Sequence, residues 1–128
     1  MTNKIAIFLD DERYVEDVTW TDVYPNAKFG DDYSWKIVRC FDEMVELIDE
    51  TNDWTNIIHI SFDHDLGQYY HETGVEPTGY TCVKMLIDKC INLNIDPPNC
   101  SFHSMNPIGC ENMKKYYDSY LKFRRSHP

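Results

Sequence analysis

The longest uninterrupted apolar run in this chain is only five residues, Ile5 to Leu9. That is too short for the hydrophobic segment of a signal peptide and far too short to cross a bilayer. Positive charge is also scarce. Twelve Lys and Arg stand against 22 Asp and Glu, a formal charge of −10, which argues against a broad surface for long nucleic acid, because such a surface must neutralise phosphates with cations. The five cysteines, Cys40, Cys82, Cys90, Cys100 and Cys110, contain no CxxC pair and no zinc-ligand spacing. They read as reduced small hydrophobes, pointing to a cytoplasmic protein. Internal repeats, linkers and low-complexity stretches are missing too, so the whole chain, 1–128, is expected to form one domain.

What is present is an alternation of strand and helix patterns. Lys4 to Asp10 reads as a central strand, because its apolar residues run without polar interruption and suit burial on both faces. Trp35 to Phe41 reads as a more exposed edge strand, carrying Lys36 and Arg39. Asp42 is expected to cap a helix with Phe41, Met44, Val45 and Ile48 on its buried stripe. The stretch IIHISFDHDLG, residues 57–67, is a third strand that breaks into Asp63, His64 and Asp65 and then turns at Gly67. A helix opening at Gly79 or Thr81 follows, with Val83, Leu86, Ile87, Cys90 and Ile91 on one face and Pro97-Pro98 beyond it. Cys100 to Ser104 is a short fourth strand. The last helix, from Ile108 to Arg124, places Met113, Tyr116, Tyr117, Tyr120 and Leu121 inward. It belongs to a basic terminal stretch, 111–128, of net charge +3, most simply a solvated face. Residues 14–34, with Val15, Val18, Val23, Pro25 and Gly30, show no sustained period and form a long connection.

This is an α/β pattern with a mostly parallel sheet of about four strands. Right-handed crossovers make the order 2-1-3-4 natural, with its switch point between strands one and three. Ligands bind beyond the carboxyl ends of such strands, and those two ends carry Asp10-Asp11 and Asp63-His64-Asp65. Four carboxylates at close range need compensation, and a hard divalent cation, Mg²⁺ or Mn²⁺, is the usual source. As isolated residues they would instead be turn and cap aspartates. His64 and His103 lie close to these carboxylates at strand ends and fit general acid and base duty; either alone would suit a structural hydrogen bond equally well. His59 reads as a core or edge residue and His127 as tail. Ser104, Asn106 and the amides of the last helix, with Gly109 allowing close approach, can hold an anion, or Asn106 can simply cap that helix ahead of Pro107. Arg13 can clamp a phosphate from the opposite side or pair with Glu12 or Asp17.

Four segments then stand in order: FLDDER (8–13), SFDHDLG (61–67), TGYTCVKMLID (78–88) and HSMNPIGCENM (103–113). Together they resemble the receiver-like family of cyclic-phosphate-processing receiver domains. The resemblance implies a flavodoxin-like receiver fold and a role on cyclic phosphate ends or cyclic nucleotides, with Asp10, Asp11, Arg13, Asp63, His64, Asp65, His103, Ser104 and Asn106 as the matching polar positions. Beside a two-component receiver, Asp10 and Asp11 resemble the metal-binding acidic pair, Asp63 the phosphoacceptor and Ser104 the switch hydroxyl. The lysine that such a receiver carries after a fifth strand has no counterpart here, which shifts the expectation from phosphoryl relay to acid and base chemistry. The expected activity is a phosphodiesterase acting on a small cyclic phosphate; the alternative is a module that binds such a ligand unchanged, with Tyr69, Tyr70 and His71 able to stack on a base.

Overall fold

The computed structural model describes residues 4–18, 33–67 and 76–127. Four parallel strands, β1 (Ile5–Leu9), β2 (Ser34–Val38), β3 (Ile57–Phe62) and β4 (Asn99–Phe102), form one sheet in the order β2-β1-β3-β4. This is the expected order, with β1 and β3 side by side at the switch point. Three helices, α1 (Phe41–Glu50), α2 (Gly79–Leu93) and α3 (Pro107–Ser126), accompany it. Trp20, Val23, Tyr24, Pro25, Phe29 and Gly30 of the long connection, and the Tyr69, Tyr70 and His71 cluster, lie outside the described residues.

The two faces of the sheet differ. Ile7, Leu9, Ile60 and Phe62 point into the main core, which also takes Met44, Leu47 and Ile48 of α1, Cys82, Val83, Leu86, Ile87 and Cys90 of α2, and Met113, Tyr117 and Tyr120 of α3. Burying one such aliphatic side chain is worth about 1.5–3 kcal/mol, so this layer supplies most of the drive to fold. On the opposite face Phe8 packs with Val15, Val18, Trp35 and Ile37. Val15–Asp17 forms a single 3-10 turn, the short helical turn that the valines allow. Beside this second cluster, the same face carries a row of polar residues, His59, Ser61, Ser101 and His103.

Several boundaries move from where local patterns place them. Strand β2 ends at Val38, and Cys40, in extended conformation, is the N-cap of α1; Asp42 sits in the first turn instead of capping it. Leu47 takes the buried place expected for Val45, because the stripe is centred on Met44 and Ile48. Ile91 is 54% exposed. Helix α2 ends at Leu93 because Asn94 adopts the left-handed conformation, φ 55° and ψ 49°, before the prolines are reached. Helix α3 begins at Pro107 behind its cap Asn106, and Tyr116 and Leu121 are only half-buried on it. The phenols of Tyr117 and Tyr120 donate to Pro98 O at 2.8 Å and Ile95 O at 3.0 Å, tying α3 to the segment that enters β4. All five cysteines are free; Cys82 and Cys90 are buried and the others half-buried.

One glycine is fixed by contact. A Cβ on Gly79 would lie 1.7 Å from Asp63 O, and the Gly79 amide donates to His64 O at 2.7 Å. Helix α2 therefore starts directly against the backbone that carries Asp63. We expect Gly79→Ala to lose about 1–3 kcal/mol by overpacking, read as a lower urea midpoint, and to move the amide resonances of Asp63 and His64 in an NMR spectrum.

Candidate functional site

The site is built by one extra rung of hydrogen bonds past the regular strands. Asp10 N donates to Val38 O at 3.1 Å, Asp63 N to Leu9 O at 2.9 Å and His103 N to Phe62 O at 2.9 Å. Because all four strands are parallel, this rung sets Asp10, Asp63 and His103 side by side at the carboxyl edge of the sheet, each buried. Each lies just after its strand and continues the alternation of the pleat, so that it points to the face opposite Leu9, Phe62 and Phe102.

Asp10 organises the turn that follows it. Its Oδ1 accepts the amides of Glu12 and Arg13, both at 2.9 Å, and its Oδ2 accepts from His103 Nε2 at 3.0 Å. Arg39, expected only as an exposed edge residue, holds the same turn from outside. Its Nη1 donates to Asp10 O at 3.1 Å and Arg13 O at 2.6 Å, and its guanidinium lies 4.8 Å from the centre of the Tyr14 ring. Nothing in the spacing of Arg39 marked this role, since it depends on β2 pairing beside β1.

Asp63 sits next to Asp10. Its Oδ1 accepts the His64 amide at 2.8 Å, and Ser104 donates its hydroxyl to the same carboxylate. Ser104 Oγ in turn accepts the Asn106 amide at 3.1 Å. Above the two carboxylates lies Arg13, its Nη1 3.5 Å from Asp10 Oδ2 and 3.9 Å from Asp63 Oδ2. The partner of Arg13 is thus the aspartate pair, whereas Asp17 accepts the Tyr14 amide. Asp11, Glu12, Arg13, Asp63, Asp65, Ser104, Met105 and Asn106 line an open cleft of about 380 Å³.

The two histidines are placed very differently. His64 is partly exposed beside the cleft; its Nδ1 is 2.9 Å from Asp65 Oδ1 and 3.4 Å from Asn106 Nδ2. Its ring packs on the first turn of α3, where a Cβ on Gly109 would come within 2.5 Å of it. Gly109 therefore makes room for His64 and does not line the cleft. The Gly109 amide is already used, donating to Asn106 Oδ1 at 3.0 Å, so Asn106 caps the helix. His103 lies under the cleft floor, 1% exposed, stacked on Phe8 with ring centres 4.5 Å apart and planes 8° from parallel. Its Nδ1 is 2.7 Å from Ser61 Oγ. Ser61 and Ser101, which sequence reasoning passed over, and His59, read from the sequence as a core or edge residue, continue this contact inward: Ser101 Oγ donates to Ser61 Oγ at 3.2 Å, and His59 Nε2 is 2.7 Å from Ser101 Oγ. The signal was a period of two, His59-Ser61-Asp63 on one strand and Ser101-His103 on the next, within segments that read as mainly apolar.

Burial raises the Asp10 carboxyl, but the His103 hydrogen bond and the two backbone amides outweigh it, holding Asp10 well below the ordinary carboxylate range. Burial and the neighbouring Asp10 charge push Asp63 up, and burial with the charges of Asp10 and Asp63 does the same to Asp11. A cation would relieve this strain. Donor atoms of Asp10, Asp63 and His103 lie within 4.8 Å of one another, so among the described residues this buried group fits a metal ion. Asp11 lines the cleft nearby, while Asp65 is exposed and engaged with His64.

His59 is 5% exposed, and burial lowers its imidazole from 6.5 to about 4. The unfolded chain therefore takes up a proton between those values that the folded protein refuses, so stability falls as the pH falls through this window. The slope is at most about 1.4 kcal/mol per pH unit. Asp10 adds a further loss only at lower pH, and Asp63, raised, acts in the opposite sense. Urea denaturation at a series of pH values should show that His59→Gln flattens the decline between pH 6.5 and 4; an unchanged slope would place the titrating group elsewhere.

No curated protein and no solved structure matches this chain closely enough to be called similar. A family model, described as a cyclic-phosphate processing receiver domain, matches residues 5–119. That span covers every strand and α3 as far as residue 119, and includes Asp10, Arg13, Asp63, His64, His103, Ser104 and Asn106. With the β2-β1-β3-β4 sheet and an acidic cleft at its switch point, the chain belongs to the cyclic-phosphate processing receiver domain family.

Proposed function

We propose that this protein hydrolyses a small cyclic phosphodiester, a cyclic phosphate end or a cyclic nucleotide, in the cleft above Asp10 and Asp63. The observation that carries the proposal is the placing of Arg13 over two buried carboxylates in a cleft walled by Ser104 and Asn106. Such a cleft offers a phosphate both a cationic clamp and hydrogen-bond donors. A divalent cation held by Asp10 and Asp63, with Asp11 and Asp65 lining the same cleft, would neutralise charge on the phosphoryl oxygens when bound. Mg²⁺ and Mn²⁺ suit such carboxylate donors.

In this reading Arg13 and the Asn106 side chain hold the non-bridging oxygens and align the ring phosphate for attack by water, while the Ser104 hydroxyl, its one proton given to Asp63, steadies that carboxylate. His64 takes the proton of that water, since Asp65 orients its Nδ1 and so fixes the ring. The phosphorus-oxygen bond of the ring breaks, the released alkoxide takes up the proton that His64 received from water, and a linear monoester leaves. His103 acts from beneath the floor through Asp10, and Gly109 acts by seating His64. One observation favours capture without turnover: of the two histidines proposed for acid and base work, only His64 stands beside the cleft.

The deciding measurement is turnover of a panel of cyclic phosphates with Mg²⁺ or Mn²⁺ and with chelator, with products separated by chromatography and identified by phosphorus NMR. We expect ring opening that His64→Ala and Asp63→Asn each slow by about 100-fold or more and that chelation abolishes. Ligand retained intact under all conditions would replace hydrolysis by capture.

A further inference from the structure

The buried row from His59 to Asp10 has only two ways to place its protons. Each serine hydroxyl has one proton to give, and each ring nitrogen either donates or accepts. Four contacts link the row: His59 Nε2 to Ser101 Oγ at 2.7 Å, Ser101 Oγ to Ser61 Oγ at 3.2 Å, Ser61 Oγ to His103 Nδ1 at 2.7 Å, and His103 Nε2 to Asp10 Oδ2 at 3.0 Å. A carboxylate only accepts, so His103 must donate from Nε2. If the ring is neutral, Nδ1 accepts from Ser61, Ser61 accepts from Ser101, and Ser101 accepts from His59. The alternative makes His103 an imidazolium, reverses every other bond and requires His59 to accept at Nε2. The geometry favours the first sense, because Ser101 stands as donor to Ser61.

We propose that His59, Ser101 and Ser61 are positioning residues that impose one hydrogen-bond direction across β3 and β4 and thereby lock His103 as its Nε2–H tautomer beneath Asp10. This deepens the reading of the cleft as a phosphoryl site and rests on it for its catalytic consequence. With its Nε2 proton committed to Asp10, His103 stands behind that carboxylate and orients it. Phe8, stacked on the imidazole at 4.5 Å, fixes the ring plane so that both nitrogens stay aimed along the row. Acid and base work then falls to His64.

The test is the histidine tautomer pattern of the full chain, labelled with nitrogen-15 in histidine and recorded at neutral pH by two-bond proton to nitrogen correlation. We expect His59 and His103 to share the neutral Nε2–H pattern. In Ser61→Ala the His103 Nδ1 resonance should move toward that of an unbonded imine nitrogen, and Ser61→Thr, which restores a hydroxyl, should return it. Should Ser61→Ala fail to fold, Ser101→Ala breaks the same row one link earlier, and the His59 resonances should move. An Nδ1–H or imidazolium pattern at His103, an Nδ1–H pattern at His59, or resonances indifferent to loss of the hydroxyl would overturn the proposal. These spectra contain no substrate. Absence of turnover beside an intact tautomer pattern would therefore defeat the hydrolase reading and leave the row standing.

Discussion

The contact between Asp10 and His103, 3.0 Å long and closed to solvent on both sides, is the constraint on which the rest of the site depends. An ionised carboxylate buried at a strand end is costly unless its oxygens are filled with donors. Here one oxygen takes two backbone amides and the other takes the imidazole. That arrangement forces the tight turn at residues 10–13, which brings the Arg13 guanidinium back over Asp10 and Asp63. It also requires β4 to end at Phe102, so that His103 can reach across β3. The outer clamp, Arg39 on the turn carbonyls, uses the edge strand to hold the arrangement from the other side.

Asp63 is the cost of that design. It lies beside a carboxylate that stays ionised, and its own ionised form is held back by burial and by the Asp10 charge. Arg13 at 3.9 Å and the Ser104 hydroxyl offset part of this. A site with one carboxylate filled by donors and a second left under-compensated beside it is suited to take up a cation.

The two sheet faces divide the labour. The face covered by α1, α2 and α3 is almost wholly apolar and supplies cohesion. The other face has Phe8 and its cluster, and beside them the polar row of His59, Ser61, Ser101 and His103. Helix starts on the apolar side still reach the site, since Gly79 abuts the Asp63 carbonyl and Gly109 receives the His64 ring. Small residues are demanded at both points by the approach of other atoms, not by backbone conformation.

Period and composition alone determined the α/β class, the buried character of β1 and β3, the 2-1-3-4 order, and the gathering of Asp10, Asp63 and their neighbours at one edge. These follow from local rules: apolar runs of strand length, right-handed crossovers, and parallel strands whose carboxyl ends share one side. Tertiary structure alone decided which histidine meets the cleft and which supports its floor, because the difference between His64 and His103 is one of depth, and depth is set by neighbours distant in sequence. It decided too that Gly109 serves His64, that Arg13 pairs with Asp10 and Asp63, and that Arg39 clamps the turn. Apart from the local contact of Arg13 with Asp10, these join segments distant in sequence, and a pattern read along one strand carries no information about what lies across from it.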